Sequence, residues 1–174
     1  MPLFSIHHQQ GYKMDTEKDI AVFLSEFEFQ VDLIKTIYQR LRDKRVVFEK
    51  ETPSREMIDS TGYWMHNLYC AFEDLFKQVS AFWENNLSSD GDYHVNLLKR
   101  MMINIKDIRP ALLSLDSYGY LNELRGFRHV FRHAYSYGLD DERVGYLIRK
   151  TVSKQEMVLA DLAKFREKIE NIGK

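Results

Sequence analysis

Residues 121–137 read LNELRGFRHVFRHAYSY, and within them Arg125, Arg128, His129, Arg132 and His133 put three arginines and two histidines into nine residues. At about 100° per residue, these five side chains fall within an arc of roughly 140°, with Tyr135 at its edge. Leu124, Phe127, Val130, Phe131 and Ala134 take the opposite side. The segment is read as an amphipathic helix that buries one face and presents a cationic, imidazole-bearing one. Such a face suits the binding of a phosphate backbone and the movement of protons.

Helix is expected on both sides of this segment. Three prolines and eight glycines in 174 residues leave little material for the turns of an all-β protein. After a loose segment over residues 1–16, one helical domain is expected to cover 17–174. A first helix is placed over Glu17–Arg45, where Ile20, Phe23, Leu24, Phe27, Val31, Ile34, Ile37, Tyr38 and Leu41 recur at helical spacing. Val46-Val47-Phe48 either extends it or closes it. Thr52-Pro53 signals a second helix, with Thr52 as the cap, reaching Asn86 on a stripe from Ile58 through Met65, Leu68, Phe72 and Phe76 to Phe82. Leu87–Asp92 is the clearest loop, and a third helix over Tyr93–Ile105 is broken by Arg109-Pro110. The basic helix starts after Leu115-Asp116-Ser117 and ends at Tyr137, with Gly138 as its terminator. Asp140 or Asp141 caps a fifth helix to Ile172, its buried side expected to hold Val144, Leu147, Ile148, Val152, Met157, Leu159, Leu162, Phe165 and Ile169. Short connections between long helices favour antiparallel neighbours, so the fold class expected is all-α, an up-down bundle of four to five helices.

Composition narrows the classes of function. A formal net charge of −1 argues against a surface that clings everywhere to nucleic acid, so any such contact must come from a local patch, which 125–133 supplies. The single cysteine, Cys70, has no internal disulfide partner and fits a reducing compartment, where it is expected as a small buried residue. No run approaches the roughly 18 apolar residues of a membrane span. The opening MPLFSIHHQQ lacks the pattern of a signal peptide, so a cytoplasmic protein is expected.

Arg128-His129-Val130-Phe131-Arg132-His133-Ala134-Tyr135 resembles the signature of the HEPN superfamily and, more narrowly, the Arg-x4-His-x-Tyr pattern of HepT-like ribonuclease toxins. The flanking Leu121–Phe127 and Leu139-Asp140 resemble that family too, and the resemblance extends over about residues 17–172. It implies a HEPN-like bundle and a metal-independent endoribonuclease that cleaves mRNA or tRNA by 2′-hydroxyl attack, without a cofactor. By matching positions, His133 is the proton-transfer residue and Arg128 the clamp for phosphate and for charge on the phosphoryl oxygens. Tyr135 is implied as the site of adenylylation by an MNT-type nucleotidyltransferase antitoxin, which would block the groove with bulk and negative charge. Arg125, His129 and Arg132 take supporting, RNA-holding roles.

Arg128 and His133 are five residues apart, about 140° around a helix, so one helix cannot easily aim both at one phosphate. HEPN proteins are typically dimers with two such helices across a groove, and a homodimer is expected here, one chain's His133 complementing the other's Arg128. Competing readings stand beside these. Clustered arginines often form a solvated face paired with carboxylates, and Glu73-Asp74 on the second helix could reach them. His129 and His133 at i and i+4 could ligate a metal, but no third ligand accompanies them in sequence, so no metal is expected. Tyr135 also suits the edge of a core. A catalytically idle HEPN module that binds a nucleotidyltransferase, or a structural or regulatory helical dimer, are the alternative functions.

Overall fold

The computed structural model describes residues 16–84, 93–133 and 138–172. The Leu87–Asp92 loop, Tyr135 and residues 1–15 of the expected loose segment lie outside them, whereas Thr16, expected to be loose, already begins the first helix. Five helices are present: α1 (Thr16–Lys50), α2 (Arg55–Glu84), α3 (Tyr93–Arg100), α4 (Leu115–His133) and α5 (Asp141–Ile172). No strand occurs among the described residues, and none of the helices is long and apolar enough to cross a membrane.

The four long helices form the expected up-down bundle. Each pairs antiparallel with its neighbours in a ring, α1 on α2, α2 on α4, α4 on α5, and α5 back on α1. Direction follows from the contacts. Gln30 Nε2 donates to the Ala71 carbonyl at 2.8 Å and Lys44 Nζ to Ser60 Oγ at 2.8 Å, so α1 ascends as α2 descends. Glu123 with Lys150 and Ser117 with Asp161 set α4 against α5 in the same manner. α3 is a short helix in the crossover between α2 and α4. Phe23, Phe27, Ile34 and Tyr38 of α1, Leu68, Phe72 and Phe76 of α2, Leu124 and Phe127 of α4, and Ile148 and Phe165 of α5 fill the centre.

Several boundaries differ from the expected ones for local reasons. α1 runs on through Val46-Val47-Phe48 because Phe48 packs against the bundle. Ser54 rather than Thr52 caps α2, its Oγ accepting from the Met57 amide at 3.2 Å. α3 stops at Arg100, five residues early, because i→i+3 bonds tighten the next turn and the Arg109 guanidinium takes the Arg100 and Ile103 carbonyls. α4 starts three residues early: Ser114 caps it, and Asp161 of α5 accepts bonds from Ser114 N, Ser114 Oγ and Ser117 Oγ. Asp140 caps α5 through the Arg143 amide at 2.7 Å. Midway along α5, Thr151, Gln155 and Val158 are buried, while Val152, Met157 and Leu159 are only half-buried. Two polar residues hid this stripe from hydrophobic periodicity, and Gln155 is satisfied by Arg42 Nη1 at 2.6 Å.

The end of α4 is seated on α2 through a missing side chain. A Cβ on Gly62 would lie 2.3 Å from Leu139 Cδ1 and 3.2 Å from the Phe131 ring. Beside it, Arg55 Nη1 donates to the Leu139 carbonyl at 2.9 Å, and Gly138 adopts φ +73°, the left-handed region expected of a residue that ends a helix. Gly62→Leu is expected to destabilise the fold by about 1–3 kcal/mol through overpacking. Gly126→Ala, on α4 with nothing near its Cβ, should stabilise by about 0.5–1 kcal/mol through backbone entropy. Urea denaturation of the two variants reads both signs.

Candidate nucleic-acid interface on α4

Leu121, Leu124 and Phe127 bury the inner face of α4, and the helical repeat turns Arg125, His129, Arg132 and His133 outward. Arg125 is held half-buried by Asn122, whose Oδ1 accepts from its Nε at 3.1 Å and Nη2 at 3.0 Å. His129 and His133 lie one turn apart with ring centroids 4.5 Å from each other. His133 Nδ1 sits 2.8 Å from the His129 carbonyl oxygen. A carbonyl only accepts, so Nδ1 carries the hydrogen and Nε2 of the neutral ring is left as an outward-facing proton acceptor.

Arg128 departs from the expected cationic face. It folds inward against α2, its side chain 17% exposed, with Nη2 3.4 Å from Oε2 of Glu73, a carboxylate only 5% exposed. Its guanidinium lies over the Tyr69 ring at 5.9 Å, and its Nε is buried without a hydrogen-bond partner. Conversely Val130, expected on the apolar side, is exposed. Of the two candidate carboxylates, Glu73 reaches the cluster; Asp74 is exposed and pairs with Lys77. Among the described residues no hydrogen bond joins Arg128 to His133. Their angular separation on the helix sends one to α2 and the other to solvent.

Two α2 residues belong to this site that the sequence reading did not assign to it. His66 stacks on Phe131 at 5.1 Å and 26°, and its Nε2 lies 3.6 Å from the Cys70 thiol, which is half-buried rather than fully enclosed. Tyr69 forms the floor under Arg128. Burial, reinforced by the Glu73 carboxylate, pushes the Tyr69 hydroxyl well above its usual range, so it stays protonated. The signal that could have found them is spacing: His66, Tyr69 and Glu73 follow i, i+3, i+7 on one face of a helix.

Burial first, then the charges of Arg128 and Arg132, lower the His66 pKa below 6.5, against a smaller opposite effect of Glu73. The unfolded chain therefore binds a proton on acidification that the folded one resists, so this residue's share of stability is present above about pH 6.5 and is lost as pH falls through the folded value. His66→Gln is expected to flatten that acid limb, read as chemical-denaturation midpoints between neutral and acid pH.

An antiparallel four-helix ring with a short crossover helix, carrying arginine and histidine on the helix before the last, defines an all-α bundle module. A family model described as HepT-like protein matches residues 60–169, well over half of the chain, and the chain therefore belongs to the HepT-like family of the HEPN superfamily. The match begins inside α2 and ends inside α5, so it is narrower than the expected 17–172 and leaves out α1. No curated protein and no solved structure matches the chain.

Proposed function

We propose that the protein is a metal-independent endoribonuclease, the toxin of a HEPN/MNT toxin–antitoxin pair, acting on mRNA or tRNA in the cytoplasm. The observation that carries this reading is the His133 ring, oriented by a backbone carbonyl with Nε2 facing outward, on the motif helix of a HepT-like chain. Nε2 takes the proton of the 2′-hydroxyl as that oxygen bonds to phosphorus. The bond from phosphorus to the 5′-oxygen breaks, and an imidazolium returns a proton to the leaving oxygen. The products are a 2′,3′-cyclic phosphate and a 5′-hydroxyl. Arg128 supplies a guanidinium fork to the phosphoryl oxygens, steadied by Glu73 and Tyr69. Arg125, His129 and Arg132 hold the flanking backbone.

The outward His133 and the inward Arg128 make each α4 half of a site, which favours a homodimer whose groove combines one chain's His133 with the other's Arg128. Tyr135, two residues past His133, is the proposed adenylylation site for an MNT-type partner. One observation favours a second reading: Arg128 already has a carboxylate partner and little exposure, as suits an idle HEPN module that binds the nucleotidyltransferase. Incubation of the purified protein with total RNA and tRNA in EDTA separates the two. Cleavage ending in cyclic phosphate supports the enzyme. No cleavage, from protein that mass spectrometry shows to be unmodified at Tyr135, supports the idle module.

A further inference from the structure

On the far side of α2 from the motif helix, the seam with α1 opens into a groove of about 470 Å³ lined by Leu33, Thr36, Arg40, Trp64, Asn67 and Ala71, among others. We propose that this groove binds an unpaired nucleobase of the RNA, a proposal that rests on the ribonuclease reading and adds a substrate subsite to it. Arg40 lies over the Trp64 ring at 4.7 Å, and the half-exposed Tyr63 meets Trp64 edge-on at 5.6 Å. An indole beside a guanidinium is the surface on which single-stranded bases stack, and the cation also meets the phosphate that follows. Asn67 is half-buried in the wall, and among the described residues its amide makes no hydrogen bond. It offers one acceptor and two donors to a base edge. Gln30 closes the floor, its amide nitrogen committed to the Ala71 carbonyl.

Placement connects the groove to the reaction. Gly62 and His66 face α4, where they meet Phe131, whereas Trp64 and Ala71 face α1. Tyr63, Asn67 and Cys70 lie between these two edges on α2, so the groove is about one helix diameter, roughly 10 Å, from the edge where Phe131 leads into Arg132 and His133. A strand crossing α4 can reach it within a short length. The rival occupant is a second copy of the chain, because Val22, Phe29 and Leu33 leave an exposed apolar line on α1 beside the groove. The guanidinium over the indole and the unengaged amide of Asn67 favour the base.

The test uses a short single-stranded RNA methylated at every 2′-oxygen, which binds but cannot be cut by 2′-hydroxyl attack. Fluorescence anisotropy is expected to show Arg40→Ala, Asn67→Ala and Trp64→Leu each weakening binding about ten-fold, with unchanged circular dichroism for the two less buried variants. Thiouridine placed in the RNA should photocrosslink within residues 63–74. Wild-type affinity in all three variants, or crosslinks confined to α4, overturns the groove; if the wild-type enzyme still cleaves unmethylated RNA, the ribonuclease reading survives that loss. A fall in oligomer mass by light scattering on Arg40→Ala, with RNA affinity intact, assigns the groove to a second copy and also overturns the proposal. If the wild-type protein neither binds nor cuts RNA, both readings fail together.

Discussion

His133→Ala is expected to slow RNA cleavage by about 10²–10⁴-fold while leaving the thermal midpoint of the protein unchanged. The magnitude is that of removing a positioned proton-transfer group. The absence of a stability effect follows from exposure: the His133 side chain is solvent-exposed, and among the described residues its ring interacts with the His129 ring and carbonyl. Arg128→Ala should lose activity as well, but for a mixed reason, since it strips an ion-pair partner from the buried Glu73 carboxylate. Arg128→Lys separates the two effects. It keeps a charge near Glu73 and loses the planar fork, so stability should recover while cleavage stays low. Cleavage that survives both His133→Ala and Arg128→Ala would remove the assigned mechanism.

Glu84→Ala is expected to destabilise the fold by about 3–5 kcal/mol, because it leaves a buried guanidinium without its anion. The Arg109 side chain is fully buried, and it donates to Glu84 Oε1 from Nε at 2.9 Å and from Nη2 at 2.5 Å, with Arg100 on the other oxygen. Its remaining donors hold the carbonyls of Arg100, Ile103 and Pro110, so this one side chain organises the return from α3 to α4. At about 2–4 °C per kcal/mol for a chain of this size, the thermal midpoint should fall by roughly 6–20 °C. Arg166→Ala, which breaks the exposed pair with Glu28, should leave the midpoint almost unchanged. Equal effects from the two substitutions would contradict the role given to burial.

Helical periodicity sufficed for the class of fold and for most of the core, because Phe23, Phe27, Ile34, Tyr38 and Leu41 in α1, and Leu68, Phe72, Phe76 and Val79 in α2, repeat at spacings that a helix converts into one face. It failed where polar side chains are buried. Thr151 and Gln155 interrupt the apolar pattern of α5 although they face inward, and Arg109 reads as a loop cation although its charge is enclosed. The same limit governs the site. The Arg128 and His133 spacing, and hence their divergence, could be read from residues 128–133 alone. That Arg128 turns inward required knowing which helix lies beside it, a tertiary fact carried by Glu73 and Tyr69 some sixty residues earlier. Pairing of α4 with α2 also decides that His66, solitary in sequence, sits under Phe131.

The helix ring closes where α1 meets α5, and that seam joins residues far apart along the chain: Arg42 with Gln155 across 113 positions and Glu28 with Arg166 across 138. Contacts between α4 and α5 span far less, 27 positions for Glu123 with Lys150 and 44 for Ser117 with Asp161. Chain entropy lost on closing a loop grows with its length, so the shorter pairings form at lower entropic cost. On that ground the α4–α5 pairing that backs the motif helix is expected to form ahead of the α1–α5 seam, which closes the ring last.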